Sequence, residues 1–182
     1  MLKLQDSYIH KGQRKALVEQ IKKKGIKDQS VLDAMQTFPR HFFFDETFWQ
    51  STRHGQVFRE YLKNHHVQPG IKVDKGLVDL PGFPGEKVSQ GLDDLGQRMA
   101  MYAAAGGKFA KWRAVITIGQ DIPTDECIGA NTLALARYAR ICQEYNIVPI
   151  VEPEIVFDGQ HTIDQCEQVM AHTFDILFRT MR

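Results

Sequence analysis

The sequence predicts an α/β fold in which parallel β-strands alternate with helices. From Phe42 onward, short apolar runs alternate with longer amphipathic stretches, and the connections between them are short. This order is typical of parallel strands joined by crossover helices. The apolar runs are hydrophobic at consecutive positions, as expected of strands that are covered on both faces. Three of the runs also carry two charged residues spaced two apart, which a strand places on one face.

Two short helices are predicted before this repeat. Residues 8–25 have apolar residues at helical spacing, lysines in the last turn, and Gly25 as the stop. Asp28 is the expected cap of a second helix, which ends before Pro39. The residues expected to face inward are Leu17, Val18 and Ile21 in the first helix, and Val31, Leu32 and Met35 in the second.

Four strand–helix units follow these two helices. The predicted strands are apolar or aromatic runs at 42–49, 71–75, 109–118 and 147–152. The predicted helices lie at 57–65, 92–105, 124–145 and 162–180. A Gly/Pro-rich loop at 80–85 separates the second strand from its helix. Thr124 is the expected N-cap of the longest helix, whose inward side is predicted to carry Leu133, Ala136, Arg137, Tyr138 and Ile141.

Composition places the chain among ordinary globular proteins. Its 182 residues are enough for one domain with a core, and 43% hydrophobic with 25% charged residues is typical of such domains. A net charge of +1 does not favour a nucleic-acid partner, and the lysine run at 22–24 is interpreted as a solvated helix end. No apolar run reaches the roughly 18–20 residues of a membrane span, and the polar start is unlike a secretory signal. We therefore expect a cytoplasmic protein without a nucleic-acid or membrane partner.

The cysteines and histidines favour neither a disulfide nor a metal site. The three cysteines are far apart and form no CxxC motif, so they are expected to be reduced thiols. The seven histidines form no HxxxH motif and no cluster with cysteine, so no metal or other cofactor is expected. The charge is uneven along the chain: residues 1–44 hold nine Lys/Arg against four Asp/Glu, and the rest holds 14 against 18. This change in net charge near residue 44 suggests that the chain has two parts of different origin.

The charged pairs indicate a polar site within the sheet. They are Lys72 with Asp74, Lys111 with Arg113, and Glu152 with Glu154. Burying a charge is costly unless the charge is paired or used, so three strands that each bring such a pair to one face indicate a site. A doubly wound sheet and a (β/α)8 barrel both fit the element order. The missing GxGxxG and GxxxxGK[ST] turns speak against a nucleotide-binding doubly wound sheet, and charges near successive strand ends favour a barrel mouth.

Five motifs in the last three-quarters of the chain carry a family resemblance. They are GIKVDKG at 70–76, QGLD at 90–93, FAKWR at 109–113, LARYA at 135–139 and IVPIVEPE at 147–154. In this order and spacing, residues from about 44 to 182 resemble class I fructose-1,6-bisphosphate aldolase. The resemblance implies a partial (β/α)8 TIM barrel of about four βα units, the second through fifth of that family, preceded by two short helices.

The segment before residue 44 resembles another family. YIHKG at 8–12, KGI at 24–26, VLDAM at 31–35 and FPRHFF at 38–43 are similar to the N-terminal helical segment of protein-L-isoaspartate O-methyltransferase. We therefore predict a division into a methyltransferase-like helical segment, 1–43, and a partial aldolase barrel, 44–182. The glycine-rich S-adenosylmethionine turn of the methyltransferase family does not follow Phe43.

The aldolase resemblance implies a lyase that cleaves fructose 1,6-bisphosphate into dihydroxyacetone phosphate and glyceraldehyde 3-phosphate. The family forms a Schiff base between a lysine and the ketose carbonyl, which acts as an electron sink for C–C cleavage. By resemblance, Glu152 is the acid–base group of imine formation, and Glu154 supports it. Lys111 lowers the pKa of the nucleophilic lysine by like-charge proximity and assists proton transfer.

The other charged residues are implied to bind the sugar phosphate. Lys72 and Arg113 hold substrate oxygens and phosphate, and Asp74 orients the lysines. The six residues comprise three cations and three carboxylates, so the cluster compensates its own charge. Trp112 and Pro153 point the other way along their strands and are expected to be packing residues.

The sequence also departs from the family pattern. The family's Schiff-base lysine lies in a Lys-Pro-Asn context on its sixth strand, and no such motif occurs in these 182 residues. We therefore expect an incomplete aldolase. The alternatives are a non-catalytic fusion or gene-model remnant, and a methyltransferase-related helical module. The open edges of a half barrel lead us to expect self-association or a homo-oligomer.

Overall fold

The computed structural model describes residues 8–37 and 48–182. The chain is divided into two compact units, Met1–Phe58 and Arg59–Arg182. The predicted division by origin lies earlier in the chain, at 43/44, within residues that are not described. That division stays a prediction.

The first unit contains two packed helices, α1 (Tyr8–Lys23) and α2 (Gln29–Thr37), close to their predicted bounds. Gly25 has a φ of 95° and ends the first helix, because only glycine adopts this conformation without strain. Asp28 caps α2 as predicted: its Oδ1 accepts a hydrogen bond of 3.2 Å from the Val31 amide.

Fewer of the apolar residues of these helices are buried than predicted. Val18 and Leu32 are buried, and Leu17 and Ile21 are half-buried. Val31 is 42% exposed, so its predicted inward position is wrong. Val31 directly precedes Leu32, and neighbouring residues of a helix point about 100° apart. The two side chains therefore cannot both face the same partner helix. The side chain of Met35 lies outside the described residues.

The predicted strand at 42–49 is not seen in its described part. Phe48 and Trp49 form a short 3₁₀ turn, with Phe48 buried and the two rings edge to face at 5.1 Å. Residues 42–47 lie outside the described residues. An isolated bridge between Ser51 and Val57 leads into the next helix.

The predicted strands and helices after residue 57 follow in the predicted order, with two further short strands between the first of these strands and its helix. They are α3 (Phe58–Asn64), β1 (Gly70–Lys72), β2 (Leu77–Asp79), β3 (Lys87–Ser89), α4 (Leu95–Ala104), β4 (Phe109–Ile116), α5 (Asp125–Glu144), β5 (Val148–Ile155) and α6 (Ile163–Thr180). Strands β1, β4 and β5 form a parallel sheet with β4 in the middle. The predicted α/β class with parallel strands is therefore confirmed. Within the described residues the sheet is open and does not close into a barrel.

A short hairpin that the sequence analysis did not predict flanks the predicted loop at 80–85. Strands β2 and β3 pair antiparallel, with Val78 opposite Val88 and an Asp79–Lys87 ion pair of 2.5 Å at the end. Each strand has three residues, which is too short for an alternating pattern to stand out in the sequence. The Gly/Pro-rich segment forms the connection between them.

The hairpin is fastened to the start of α5 by a buried carboxylate. Glu86 is 2% exposed and accepts hydrogen bonds from the Thr124 amide at 2.8 Å and the Thr124 hydroxyl at 2.7 Å. Thr124 is the N-cap, as predicted, and accepts a hydrogen bond of 3.1 Å from the Cys127 amide. A carboxylate at this position is stabilised by the positive end of the helix dipole. Asn131 donates to the Lys87 carbonyl at 2.9 Å and adds a second attachment.

The helices cover one face of the sheet. Ala110, Trp112 and Ala114 of β4 are fully buried on that face. The inward stripe of α5 is Cys127, Ile128, Asn131, Thr132, Ala134, Leu135, Tyr138, Ala139 and Cys142. Tyr138 was predicted correctly, but Leu133 is 51% exposed and Arg137 is exposed, so these two predictions are wrong. The contact face of α5 is made largely of small and polar residues, which do not mark it in a hydrophobicity pattern.

Helix α6 completes this layer. Its Thr162 N-cap and Gln165 form a reciprocal capping box. Cys166, Val169, Met170 and Ile176 pack against a cluster formed by Ile116, Ile118, Ile128 and Ile155. No helix among the described residues combines the length and the apolar character needed to cross a membrane.

Candidate functional site

The charged residues lie together on the sheet face opposite the one that packs against α5. In the register, Lys72 lies opposite Lys111, and Arg113 lies opposite Glu152. Alternate residues of a strand share a face, so the five site residues on the strands are on one side, opposite Trp112. Asp74 follows β1 and joins them through its contacts with Lys72 and the Arg113 amide. The prediction that the three strands bring their charges to one face is confirmed.

An aromatic ring lies on this face where the strands begin. Phe109 of β4 lies across Gly70, its neighbour on β1. A Cβ at position 70 would collide with the ring, so any other residue there would require the ring to move. Beside the ring, β5 exposes Val148 and Ile150. The face is therefore apolar at the start of the strands and charged towards their carboxyl ends.

Asp74 is the buried centre of the first ion pair. The Asp74 side chain is 3% exposed, and its Oδ1 lies 2.5 Å from Lys72 Nζ. The Lys72 side chain is 46% exposed. The same carboxylate accepts weak hydrogen bonds of 3.3 Å from the Gly76 amide and from the Arg113 amide. Asp74 therefore holds Lys72 and also ties the end of β1 to β4. A buried carboxylate of this kind needs such partners to offset its lost hydration.

The other two pairs cross from β4 to β5. Lys111 forms an ion pair with Glu152. The Arg113 guanidinium donates two hydrogen bonds to Glu154, Nε–Oε2 at 2.6 Å and Nη2–Oε1 at 2.7 Å. Both pairs are diagonal in the register, a distance that long side chains span readily. This geometry matches the prediction that the cluster compensates its own charge.

The Arg113–Glu154 pair fixes the charge of both partners. The bidentate hydrogen bonds lower the pKa of Glu154 from its ordinary value and raise that of Arg113. Glu154 is therefore a permanent carboxylate near neutral pH, suited to holding Arg113. It is unsuited to giving up a proton there. Lys111 and Glu152 are partly exposed, 28% and 38%, and open to a ligand.

The two residues expected to point away do so to different degrees. Trp112 is fully buried, with its ring centroid 5.5 Å from that of Tyr138. Burial raises the pKa of the Tyr138 hydroxyl, which stays protonated and lies 3.4 Å from the Ile150 carbonyl. Pro153 is half-buried on the same side. Trp112 is a packing residue, as predicted.

Sequence reasoning missed the residues that hold the backbone of the site. Ser89 donates a hydrogen bond of 2.5 Å to the Arg113 carbonyl. Arg98 of α4 donates to the Val73 carbonyl at 2.9 Å and to the Gly91 carbonyl. Neither residue belongs to a charged pair on a strand, so the spacing argument does not reach them. Among the described residues, no group of three His, Cys, Asp or Glu side chains is placed to hold a metal ion.

The sequence and the fold are similar to fructose-bisphosphate aldolases. The family described as "Glycolytic: Fructose-bisphosphate aldolase class-I" matches residues 31–182. A probable fructose-bisphosphate aldolase class 1 of Xanthomonas axonopodis pv. citri is 54% identical over 135 residues, which cover 74% of this chain and 40% of that protein. The cytoplasmic isozyme of Spinacia oleracea is 49% identical over 138 residues, covering 76% of this chain and 39% of that protein.

A solved structure supports the same similarity. It is described as fructose-bisphosphate aldolase from Plasmodium falciparum in complex with TRAP and a small-molecule inhibitor. It is 45% identical with a TM-score of 0.73, and the match covers 76% of this chain and 40% of that one. The chain thus spans about 40% of the length of the relatives it matches.

The comparisons bear on the second resemblance at residues 31–43. The family match begins at residue 31, inside the segment that was compared with isoaspartate methyltransferase, so residues 31–43 belong to the aldolase match. Nothing in these comparisons supports a methyltransferase segment, and for the residues before 31 that resemblance stays a prediction. Short helical motifs of common residues are weak grounds for a relationship, because many amphipathic helices share them.

Proposed function

This chain belongs to the class I fructose-bisphosphate aldolase family, and on that basis we propose that its open sheet face binds a sugar bisphosphate for Schiff-base cleavage. The reaction is that of the family: fructose 1,6-bisphosphate gives dihydroxyacetone phosphate and glyceraldehyde 3-phosphate. We further propose that the three-stranded sheet is part of a (β/α)8 barrel. Site residues of this kind lie at the carboxyl ends of barrel strands.

One observation carries this proposal. Three neighbouring parallel strands present three cation–carboxylate pairs on the sheet face opposite the one that packs against α5. A face built only for stability gains little from such pairs, because partly exposed ion pairs contribute about 0–1 kcal/mol each. A face that binds phosphate and moves protons needs both kinds of group.

Each side chain has a distinct proposed role. Lys72 and Arg113 bind phosphate and sugar oxygens. A bound phosphate competes with the Glu154 carboxylate for the hydrogen bonds of the Arg113 guanidinium. Glu152 takes and returns the protons of imine formation, with Lys111 beside it as proton relay and cation. Asp74 holds Lys72 in place.

Ligand binding by the chain tests this proposal. We expect fructose 1,6-bisphosphate to bind in calorimetry, and Lys72→Met to weaken binding roughly tenfold, the effect of about 1.4 kcal/mol. Lys87→Met is the matched control, since Lys87 has the same 46% exposure and the same 2.5 Å distance to an aspartate. Equal loss in both variants would point to a general charge effect and reject the proposed site.

A second candidate is a ligand-binding chain without covalent chemistry. The observation in its favour is that the site cations are already paired with carboxylates. Borohydride trapping with dihydroxyacetone phosphate separates the two. A stable mass adduct on a lysine supports Schiff-base chemistry, whereas binding without an adduct supports the second candidate.

The remaining proposals concern the setting of the chain. Relatives include cytosolic plant enzymes such as fructose-bisphosphate aldolase 4 of Arabidopsis thaliana, 46% identical over 148 residues, and we propose a cytoplasmic location. The outer strands β1 and β5 and the exposed Val148 and Ile150 favour self-association or a homo-oligomer. The substrate partner is a sugar phosphate.

A further inference from the structure

Arg98 lies behind the site in an unusual environment for an arginine. It is half-buried on α4, and its guanidinium donates to two backbone carbonyls, those of Val73 and Gly91. None of the ion pairs formed by the described residues includes Arg98. Its Nε is buried without a hydrogen-bond partner. Partial burial of a charge without a counter-charge is costly, so the two carbonyl contacts must matter to the fold or to the site.

The Val73 carbonyl is diverted from the sheet by this contact. Val73 continues the β1–β4 ladder with its amide, which donates to the Lys111 carbonyl at 3.0 Å. In a regular parallel ladder the Val73 carbonyl would then accept from the Arg113 amide. Instead it accepts from Arg98 at 2.9 Å, and the Arg113 amide donates to Asp74 Oδ2 at 3.3 Å. The Asp74 carboxylate thus takes the ladder place of a backbone carbonyl.

The backbone around this exchange is held from the same side. The Lys75 amide donates to the Gln90 carbonyl at 2.8 Å, and the Gln90 amide donates to the Gly76 carbonyl at 2.9 Å. Gly91 has a φ of 121°, and a Cβ there would lie 2.9 Å from the Lys75 nitrogen. Arg98 bridges the two segments, since it binds the carbonyl of one residue in each.

We propose that Arg98 is a positioning residue that places the Asp74 carboxylate between the Lys72 amine and the Arg113 amide by capturing the Val73 carbonyl. Without the guanidinium, the carbonyl returns to the ladder and displaces the carboxylate. Lys72 then loses its buried partner and swings into solvent. The consequence for sugar-phosphate binding rests on the function proposed above, whereas the positioning of Asp74 does not.

The Arg113 amide resonance reports the proposed geometry directly. At neutral pH we expect Asp74→Asn to change its ¹H–¹⁵N shift, because the amide then loses its charged acceptor. Arg98→Gln should change the shift as well, and Asp74→Asn added to Arg98→Gln should change it no further, while Arg98→Lys should lie between. Arg140→Gln, an exposed arginine on α5, is the control and should leave the shift as in the wild type. A folded Arg98→Gln chain in which Asp74→Asn still changes the Arg113 shift as it does in the wild type would overturn the proposal.

Binding gives the second measurement and separates the two proposals. Arg98→Lys should weaken fructose 1,6-bisphosphate binding roughly tenfold by loss of a fixed charge-assisted contact, and should have no further effect in an Asp74→Asn background. Equal effects in both backgrounds would show that Arg98 does not act through Asp74. If the wild-type chain binds no ligand but the effect of Asp74→Asn on the Arg113 amide shift still requires Arg98, the proposed function fails and the positioning role stands. If Arg98→Gln does not fold, the amide shifts of Arg98→Lys and this cycle decide.

Discussion

Removing the Glu86 carboxylate should strongly destabilise the second unit. The carboxylate accepts hydrogen bonds from the amide and the hydroxyl of Thr124 at 2.8 and 2.7 Å and is nearly inaccessible to water. Hydrogen bonds to a charged group contribute about 1.5–3 kcal/mol each. The helix dipole adds about 0.3–1 kcal/mol, and water entering the vacated space offsets part of the loss. We expect Glu86→Ala to lower the free energy of unfolding by about 3 kcal/mol, a large share of the 5–15 kcal/mol typical of a domain.

Urea denaturation at neutral pH, followed by the fluorescence of the buried Trp112, measures this loss. Glu144→Ala is the matched control, because Glu144 is an exposed carboxylate at the other end of the same helix. Its removal should be neutral or slightly stabilising, since a negative charge is unfavourable at a helix C-terminus. Glu86→Gln should fall between the two, because its amide keeps one acceptor. A Glu86→Ala chain within about 0.5 kcal/mol of wild type, the range of ordinary surface changes, would refute the reasoning.

Four further predictions concern the cysteines, the Glu154 ion pair and the apolar part of the charged face. Burial raises the pKa of both Cys127 and Cys142 to about 11, so a thiol reagent at pH 8 should label the half-exposed Cys166 first. Unfolded thiols ionise near pH 8.5, so the contribution of these two thiols to stability should be constant below that pH and should fall as the pH rises from about 8.5 towards 11, which denaturation at stepped pH will show. Because the pKa of Glu154 is lowered, its contribution is present above the unfolded value of about 4.3 and is lost as the pH falls through the folded one; the stability difference between wild type and Glu154→Gln should therefore shrink at acid pH, and a constant difference would contradict the ion pair. Ile150→Lys, on the open sheet face, should reduce self-association in light scattering at matched concentration, and no change would show that this face is not the contact.

The arrangement of the site was largely predictable from sequence. The two-residue spacing of Lys111 and Arg113, or of Glu152 and Glu154, determines a shared face once the strand is recognised. The parallel order then brings the strands side by side. Thr124 and Asp28 were predictable for the same kind of local reason, because a cap depends on a few neighbouring residues.

The rest depends on contacts between distant residues. The hairpin β2–β3 forms because Glu86 and Asn131 attach it to α5, and no local pattern records this. The burial of α5 is carried by residues such as Asn131 and Thr132, whose polar groups bond within the fold, so apolar spacing placed Leu133 on the wrong side. The role of Arg98 requires the path of the Val73 carbonyl, which only coordinates reveal.

The contact between Gly70 and the Phe109 ring makes the two positions epistatic. The Phe109 ring occupies the space that a side chain at position 70 would need. The substitutions that each position tolerates therefore depend on the residue at the other position. An alanine at 70 is harmful beside phenylalanine and acceptable beside a smaller residue, and its measured effect therefore depends on the background in which it is made. A larger residue at position 70 therefore becomes acceptable once the ring has moved or a smaller residue has replaced phenylalanine at position 109.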